Sequence, residues 1–258
     1  MHLFVLEIIT TFAINYKKIP NPKAAFMNIL TPIPYLAIRF HNELASYEVP
    51  AFRGAVLHKV PASLTLFHNH IEDKFRYRYP LIQYKRINGK AAIVCVGEGT
   101  EDIGNFFANQ NLDMEISGRK EHYEIDSITA NRWLLQLWES DFTYILRKWL
   151  PFSETNYAKY RQLEGVIEKT AFLESILTGN ILSLCTGLGV HLEKQVSCKI
   201  LQIENERLYN YKNVRMQGMD VVFQTNISLA DFVGLGKGVS VGFGMVKRIN
   251  ERKNDNEN

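Results

Sequence analysis

The segment KFRYRYPLIQYKRINGKAAIVCVG, residues 74–97, decides how the chain is to be read. At its centre stands Asn88-Gly89, a dipeptide suited to the two left-handed positions of a tight type I′ turn. On one side, residues 74–79 alternate basic with aromatic side chains and run on into residues 80–87 (PLIQYKRI). On the other, residues 91–97 are almost wholly apolar. The segment is predicted to be a β-hairpin.

Both flanks extend this into a regular order. Upstream, residues 35–42 (YLAIRFHN) read as a strand. After Pro50, residues 51–60 (AFRGAVLHKV) read as an amphipathic helix with Phe52, Val56 and Val60 on one face. A polar loop around His68 to Asp73 leads into the hairpin. Downstream, residues 100–109 read as a second helix with Thr100 as N-cap, and residues 111–126 as a returning strand. The order is β-α-β-β-α-β, the ferredoxin-like or RRM-like arrangement, over residues 35–128.

A similar order is expected in residues 129–250. Residues 141–152 read as a strand. Residues 154–178 carry Tyr157, Tyr160, Leu163, Ile167, Phe172 and Ile176 at helical spacing behind Ser153 as a cap, and strands dominate from Val190 to Ile249. The order of elements repeats, not the residues. The expected class is therefore α+β, with two tandem ferredoxin-like domains. Residues 1–34 fall outside them: residues 15–34 hold four prolines and read as a linker, and Met27 marks residues 1–26 as an optional extension. The polar tail 251–258 is expected to be disordered.

Composition narrows the function classes. The chain has 258 residues, 46% hydrophobic and 22% charged, enough apolar mass for one large domain or two moderate ones. A net charge of +3 permits a nucleic-acid partner without demanding one. Cys95, Cys185 and Cys198 are scattered without a CxxC pair, against a disulfide framework or a thiolate zinc site and in keeping with a reducing cytoplasm. The apolar run 3–14 is too short for a membrane span and holds Glu7, and only His2 stands where a secretory signal has basic residues. The chain reads as cytoplasmic, without a membrane partner.

Three constellations carry chemistry. In the first, Lys74, Arg76 and Arg78 alternate with Phe75, Tyr77 and Tyr79, so a strand there has one basic and one aromatic face. With Lys85, Arg86 and Lys90, the stretch holds six basic residues and no acidic one. Such a face suits phosphates, and the aromatics suit bases; a core strand with a solvated basic face fits the same pattern. The second is Gly234-Leu-Gly236-Lys237-Gly238-Val-Ser240-Val-Gly242-Phe-Gly244, five glycines in eleven residues, followed by Lys247 and Arg248. It is neither a Walker loop nor GxGxxG. Its backbone is expected to approach a ligand closely and aim N–H groups at phosphate oxygens; a mobile turn before an edge strand is the plainer reading.

The third is His68-Asn69-His70, six residues ahead of Lys74. A histidine near neutral pKa can take a proton from an RNA 2′-hydroxyl or give one to a leaving oxygen, and Lys74 can stabilise negative charge. A hydrogen-bonded loop histidine is the plainer alternative. A metal reading of His-x-His lacks ligands at the right spacing beyond Glu72 and Asp73, and no cofactor fingerprint occurs. His41 and His58 are weaker candidates, explained by packing.

Taken together these residues resemble the CRISPR-associated Cas-six-type pre-crRNA endoribonucleases of the RAMP superfamily. The matching stretches are PAFRGAV (50–56), LFHNH (66–70), YRYPLIQYKRINGKAAIV (77–94), WLPFSETNYAKY (149–160), LTGNILS (177–183) and GLGKGVSVGFG (234–244). The resemblance runs from about Leu36 to Ile249. It implies metal-independent cleavage of CRISPR repeat RNA, leaving a 2′,3′-cyclic phosphate or 3′-phosphate. It also implies a general acid–base histidine after the first helix, matched by His68, and a lysine downstream, matched by Lys74. The usual tyrosine of the first helix is missing here, and His58 or His70 stands as an alternative. Candidate RNA contacts are Arg76, Arg78, Lys85, Arg86, Gly234, Gly236, Lys237, Gly238, Ser240, Gly242, Gly244, Lys247 and Arg248. Expected partners are CRISPR repeat RNA, a CRISPR effector complex and a second copy of the chain. A non-catalytic RNA-binding subunit of such a complex shares the fold and is the second reading.

Overall fold

An eleven-residue strand, β1 (Ile33–Glu43), opens the described part of the chain, which covers residues 32–68, 79–108 and 111–249 in a computed structural model. Its residues from Ile33 to Ile38 are buried except Ala37, so β1 is covered on both faces and lies centrally in its sheet. It pairs antiparallel with β3 (Lys90–Val96) on one side and β6 (Ile125–Trp133) on the other, and β2 (Ile82–Ile87) pairs with β3. The sheet order is β2-β3-β1-β6. Helices α1 (Val49–Leu57), α2 (Thr65–His68), α3 (Gly99–Asp102) and α4 (Gly104–Ala108) complete this unit with a hairpin of β4 (Asp113–Ile116) and β5 (Arg119–His122).

The core of this first unit is an aromatic lattice. Phe40, Phe52, Tyr84 and Tyr123 are fully buried; Phe52 meets Phe40 and Tyr84 edge-on at 5.9 Å and stacks on Tyr123 at 5.6 Å. Phe52 and Val56 of α1, with Val60 just beyond it, are buried, as their spacing predicts. Asn88 and Gly89 take φ of 50° and 85°, the two left-handed positions of the predicted turn.

Three local expectations are corrected. Strand β2 begins at Ile82, beyond Pro80, which has no N–H for a ladder, so the strand expected over 74–87 does not include residues 79–81; residues 74–78 lie outside the described residues. Thr100 is not a cap: Glu98 holds that position, and the buried Thr100 hydroxyl donates to the Gly97 carbonyl at 2.8 Å. The strand expected over 111–126 is broken by Ser117-Gly118, at φ 52° and 81°, into the β4–β5 hairpin before β6 returns. Strand β6 runs on to Trp133.

By its contacts the first unit reaches Leu135 and takes in Leu184–Val190 and Val239–Gly242. The second comprises Gln136–Ser183, His191–Gly238 and the chain from Phe243. Its sheet holds β7 (Leu137–Trp149), β8 (Cys198–Tyr211), β9 (Val214–Ile227) and β10 (Met245–Arg248) in the order β10-β7-β9-β8. With β7, β8, β9 and β10 in the places of β1, β2, β3 and β6, this is the order of the first sheet. Both units are ferredoxin-like. Between β9 and β10, however, the described residues form no α-helix; the glycine-rich segment, with one 3₁₀ turn at Val239–Val241, takes that place.

Two helices follow β7. The Ser153 Oγ accepts the Asn156 N–H at 3.1 Å and caps α5 (Glu154–Gln162) as predicted. The chain turns extended at Leu163, and α6 (Val166–Gly187) starts afresh, so the single helix expected over 154–178 is two. The restart moves the buried stripe to Leu173, Leu177, Ile181 and Leu184, and Ile167 is left 84% exposed.

Candidate functional site

Glycine placement builds the site in the second unit. Gly236, Gly238 and Gly244 take φ of 89°, 70° and 61°, where a side chain is strained. A methyl group on Gly236 would sit 2.8 Å from the Trp149 indole, and one on Gly244 would overlap the Leu235 carbonyl. The loop is laced to itself and to β7. Leu235 donates to Gly244, Phe243 to Gly238, Gly244 to Lys148 and Lys237 to Leu150, at 2.8–3.2 Å. The glycines therefore serve tight packing, and several of the N–H groups expected to face a ligand are spent inside the fold. Trp149 is fully buried, its indole N–H donating to Asn180 Oδ1 at 2.9 Å.

A bulge fixes the neighbouring end of β7. Lys148 sits at φ 52° and breaks the β7–β9 register between Leu146 and Trp149. Asn205, at φ 52°, does the same between Glu204 and Arg207 of β8. Between these bulges lies Asp220 of β9, 5% exposed. Its carboxylate accepts the Lys148 N–H at 2.7 Å, Arg147 Nη1 at 2.9 Å and Asn205 Nδ2 at 3.0 Å. Burial alone would raise the Asp220 pKa; these bonds, the Lys148 N–H first, outweigh it and hold the carboxyl below the usual range.

Beside the loop stands a cluster that the residue pattern alone does not single out. Phe243 packs between Tyr209 and Tyr211 of β8, edge-on at 5.7 Å to each. Arg207 Nε donates to the Tyr209 hydroxyl at 2.8 Å, and Lys212 lies 5.7 Å over the Tyr211 ring. Arg207, Lys212 and Arg215 are exposed. A signal is present: Arg207, Tyr209 and Tyr211 fall two apart on one strand, which puts a cation and two rings on the same face. The turn between the strands is Lys212-Asn213, at φ 51° and 62°, which does the work of Asn-Gly without a glycine to mark it. This arrangement combines cations for phosphates with ring faces for bases.

The remaining candidates divide. Lys237, Gly238 and Ser240 are half-exposed; Gly234 and Gly244 are buried. Lys247 and Arg248 are exposed on β10, with the Arg248 guanidinium 4.5 Å over Phe142. Arg86 is exposed and donates from Nε to the Leu44 carbonyl at 2.6 Å. Lys85 departs from expectation: it is fully buried, and its ammonium donates to the Val239 carbonyl at 3.0 Å, so it presents no charge to a ligand. The cause is that β2 is buried on both faces, which the basic–aromatic alternation did not anticipate. His58 is exposed and ends α1, its N–H bonded to Gly54. His68 ends α2; its side chain, with His70, Lys74, Arg76 and Arg78, lies outside the described residues. Among the described residues no group of three or more His, Cys, Asp or Glu is placed to hold a metal ion, and no helix is long and apolar enough to cross a membrane.

Comparison with known proteins follows the same division of the chain. Residues 31–133 match the model of the Cas6b N-terminal domain, and residues 136–249 that of the Cas6b C-terminal domain. A crystal structure of Cas6b superimposes with a TM-score of 0.77 at 25% identity, covering 84% of this chain and 99% of that one. A crystal structure of the CRISPR RNA processing endoribonuclease Cas6b gives 0.65 at 24% identity, over 84% and 99% of the two chains. An uncharacterized protein of Methanocaldococcus jannaschii is 34% identical over 103 residues, 40% of this chain and 69% of that protein.

Proposed function

Because the chain belongs to the Cas6b family, we propose that it is an endoribonuclease that cuts CRISPR repeat RNA at one site, without metal, to release mature guide RNA. The observation that carries this reading is the match of both family domains, in chain order, over almost the whole described length. The RNA brings its own nucleophile. Attack of a 2′-hydroxyl on the adjacent phosphorus expels the 5′-oxygen and leaves a 2′,3′-cyclic phosphate, so the protein has to align the strand, move protons and offset charge. In this proposal His68 moves the proton, with His70 and His58 as alternatives, and Lys74 offsets the charge. The strand is gripped by the cations around the Tyr209–Phe243–Tyr211 cluster and by Lys237, Ser240 and Lys247, with Arg76, Arg78, Arg86 and Arg248 as further contacts. A CRISPR effector complex and a second copy of the chain are proposed as protein partners, to be read by co-purification and by size in solution.

The test is cleavage of the repeat RNA by purified protein. His68→Ala is expected to slow cleavage by about 10²-fold or more while binding changes little. A 2′-deoxy substitution at the cut site should stop the reaction, and EDTA should leave it intact. Wild-type protein that binds the repeat but never cuts it would support a non-catalytic RNA-binding subunit instead.

A further inference from the structure

Lys85 is a candidate RNA contact that the fold turns inward. It stands on β2, the edge strand of the first sheet, and no part of it reaches solvent. Its ammonium donates to the carbonyl of Val239, 154 residues away, at 3.0 Å. Val239 is itself 4% exposed, and the 3₁₀ turn it opens packs along β2 and α1. That turn is short and jointed at both ends, with Gly238 at φ 70° before it and Gly242 at φ 89° after it. Val241 packs on the core of the first unit, and a methyl group at Gly242 would meet Val49 at 3.3 Å. The next residue after Val239, Ser240, is half-exposed.

An ammonium in such a place is costly. Desolvating it loses several kcal/mol of hydration, and a single carbonyl restores only part. A methionine would fill much the same volume without that cost. The residue thus opposes stability while fixing one bond. We propose that Lys85 is a positioning residue: by holding the Val239 carbonyl it sets where Ser240 meets the phosphodiester backbone of bound RNA. This rests on the RNA-binding reading above. Direct contact between Lys85 and phosphate has no part in it.

Protonation gives the idea a signature. Burial alone pulls the Lys85 pKa down to about 7. Of the titratable groups on elements packed against β2, Arg53 of α1 and Lys90 and Cys95 of β3, none contributes to that shift. Above neutrality the amine loses its charge, and the bond to Val239 weakens from a charge-assisted one to an ordinary one.

The experiment measures binding of a fluorescein-labelled, 2′-O-methyl copy of the CRISPR repeat, which cannot be cut, to the full chain. Lys85→Met should bind about tenfold more weakly than wild type at pH 6.5 or so, a step of about 1.4 kcal/mol. Ser240→Ala should weaken wild type yet cost little more once Lys85→Met is present, because the two act as a unit. Wild-type affinity should fall more steeply than that of Lys85→Met as pH rises through neutrality. Equal affinities, or parallel pH curves, would overturn the proposal. Should Lys85→Met not fold, Ser240→Ala decides: it must flatten the wild-type pH curve, and an unchanged slope refutes the idea. Wild-type protein that ignores the probe at every pH would instead sink the RNA reading itself.

Discussion

A buried lysine and a buried aspartate do opposite things for stability. Lys85 has an ordinary pKa of 10.5 when unfolded and about 7 when folded. Between those values the unfolded chain holds a proton that the folded chain has released, so the contribution of Lys85 to stability rises with pH across that window and is poorest below it. Replacing it by methionine should therefore raise the melting temperature, by more at pH 6 than at pH 9.5 or so; a difference that stays constant or grows with pH would contradict this. Asp220 is well supplied. Asp220→Ala removes the acceptor of the Lys148 N–H and should cost about 1–3 kcal/mol in denaturant titration, the usual scale for an unsatisfied buried group; Arg147 and Asn205 are exposed and turn to water instead. Its lowered pKa gives the reverse pH sense: the stabilisation is present above the carboxyl's unfolded pKa and is lost as pH falls through the folded value.

Among the elements, the turns separate what the sequence discloses from what it hides. The Asn88-Gly89 hairpin is legible because both turn residues advertise their conformation, and β1, β2 and β3 follow from it. Lys212-Asn213 adopts the same kind of turn without such a mark, so the Tyr209–Phe243–Tyr211 cluster emerges only once β8 and β9 are paired. The glycine-rich segment is visible as a motif, but its physical role is not. Sequence suggests backbone donors aimed outward, whereas the fold spends several of them on Leu150, Lys148 and the loop itself. Two glycines make the distinction measurable. Gly118 has φ 81° with open space about its Cα, so Gly118→Ala should cost only the left-handed strain of about 1–2 kcal/mol. Gly244→Ala adds a collision with the Leu235 carbonyl, and its denaturation midpoint should fall well below that of Gly118→Ala.

For the whole molecule, two sheets of identical strand order carry different burdens. The first is closed by helices and an aromatic core; the second leaves the place of its last helix to a glycine-rich loop beside cationic side chains. With a net charge of only +3, the attraction for RNA proposed above has to be local rather than spread over the surface. The logarithm of affinity should fall linearly with the logarithm of salt. Lys237→Ala with Lys247→Ala should flatten that slope by about one unit for each phosphate no longer neutralised; an unchanged slope would remove those lysines from the interface. The overall fold could be read from residue pattern because alternation and turn chemistry are local. The Lys85–Val239 bond could not, since its ends lie 154 residues apart. One further consequence is optical. Trp149 is sealed from solvent directly beneath Gly236, with no side chain between indole and loop backbone, while Trp138 is 41% exposed. A collisional quencher such as acrylamide should extinguish Trp138 emission and spare Trp149 and the buried Trp133, so that with Trp133 replaced by phenylalanine the protected emission becomes a built-in gauge of whether that loop lifts.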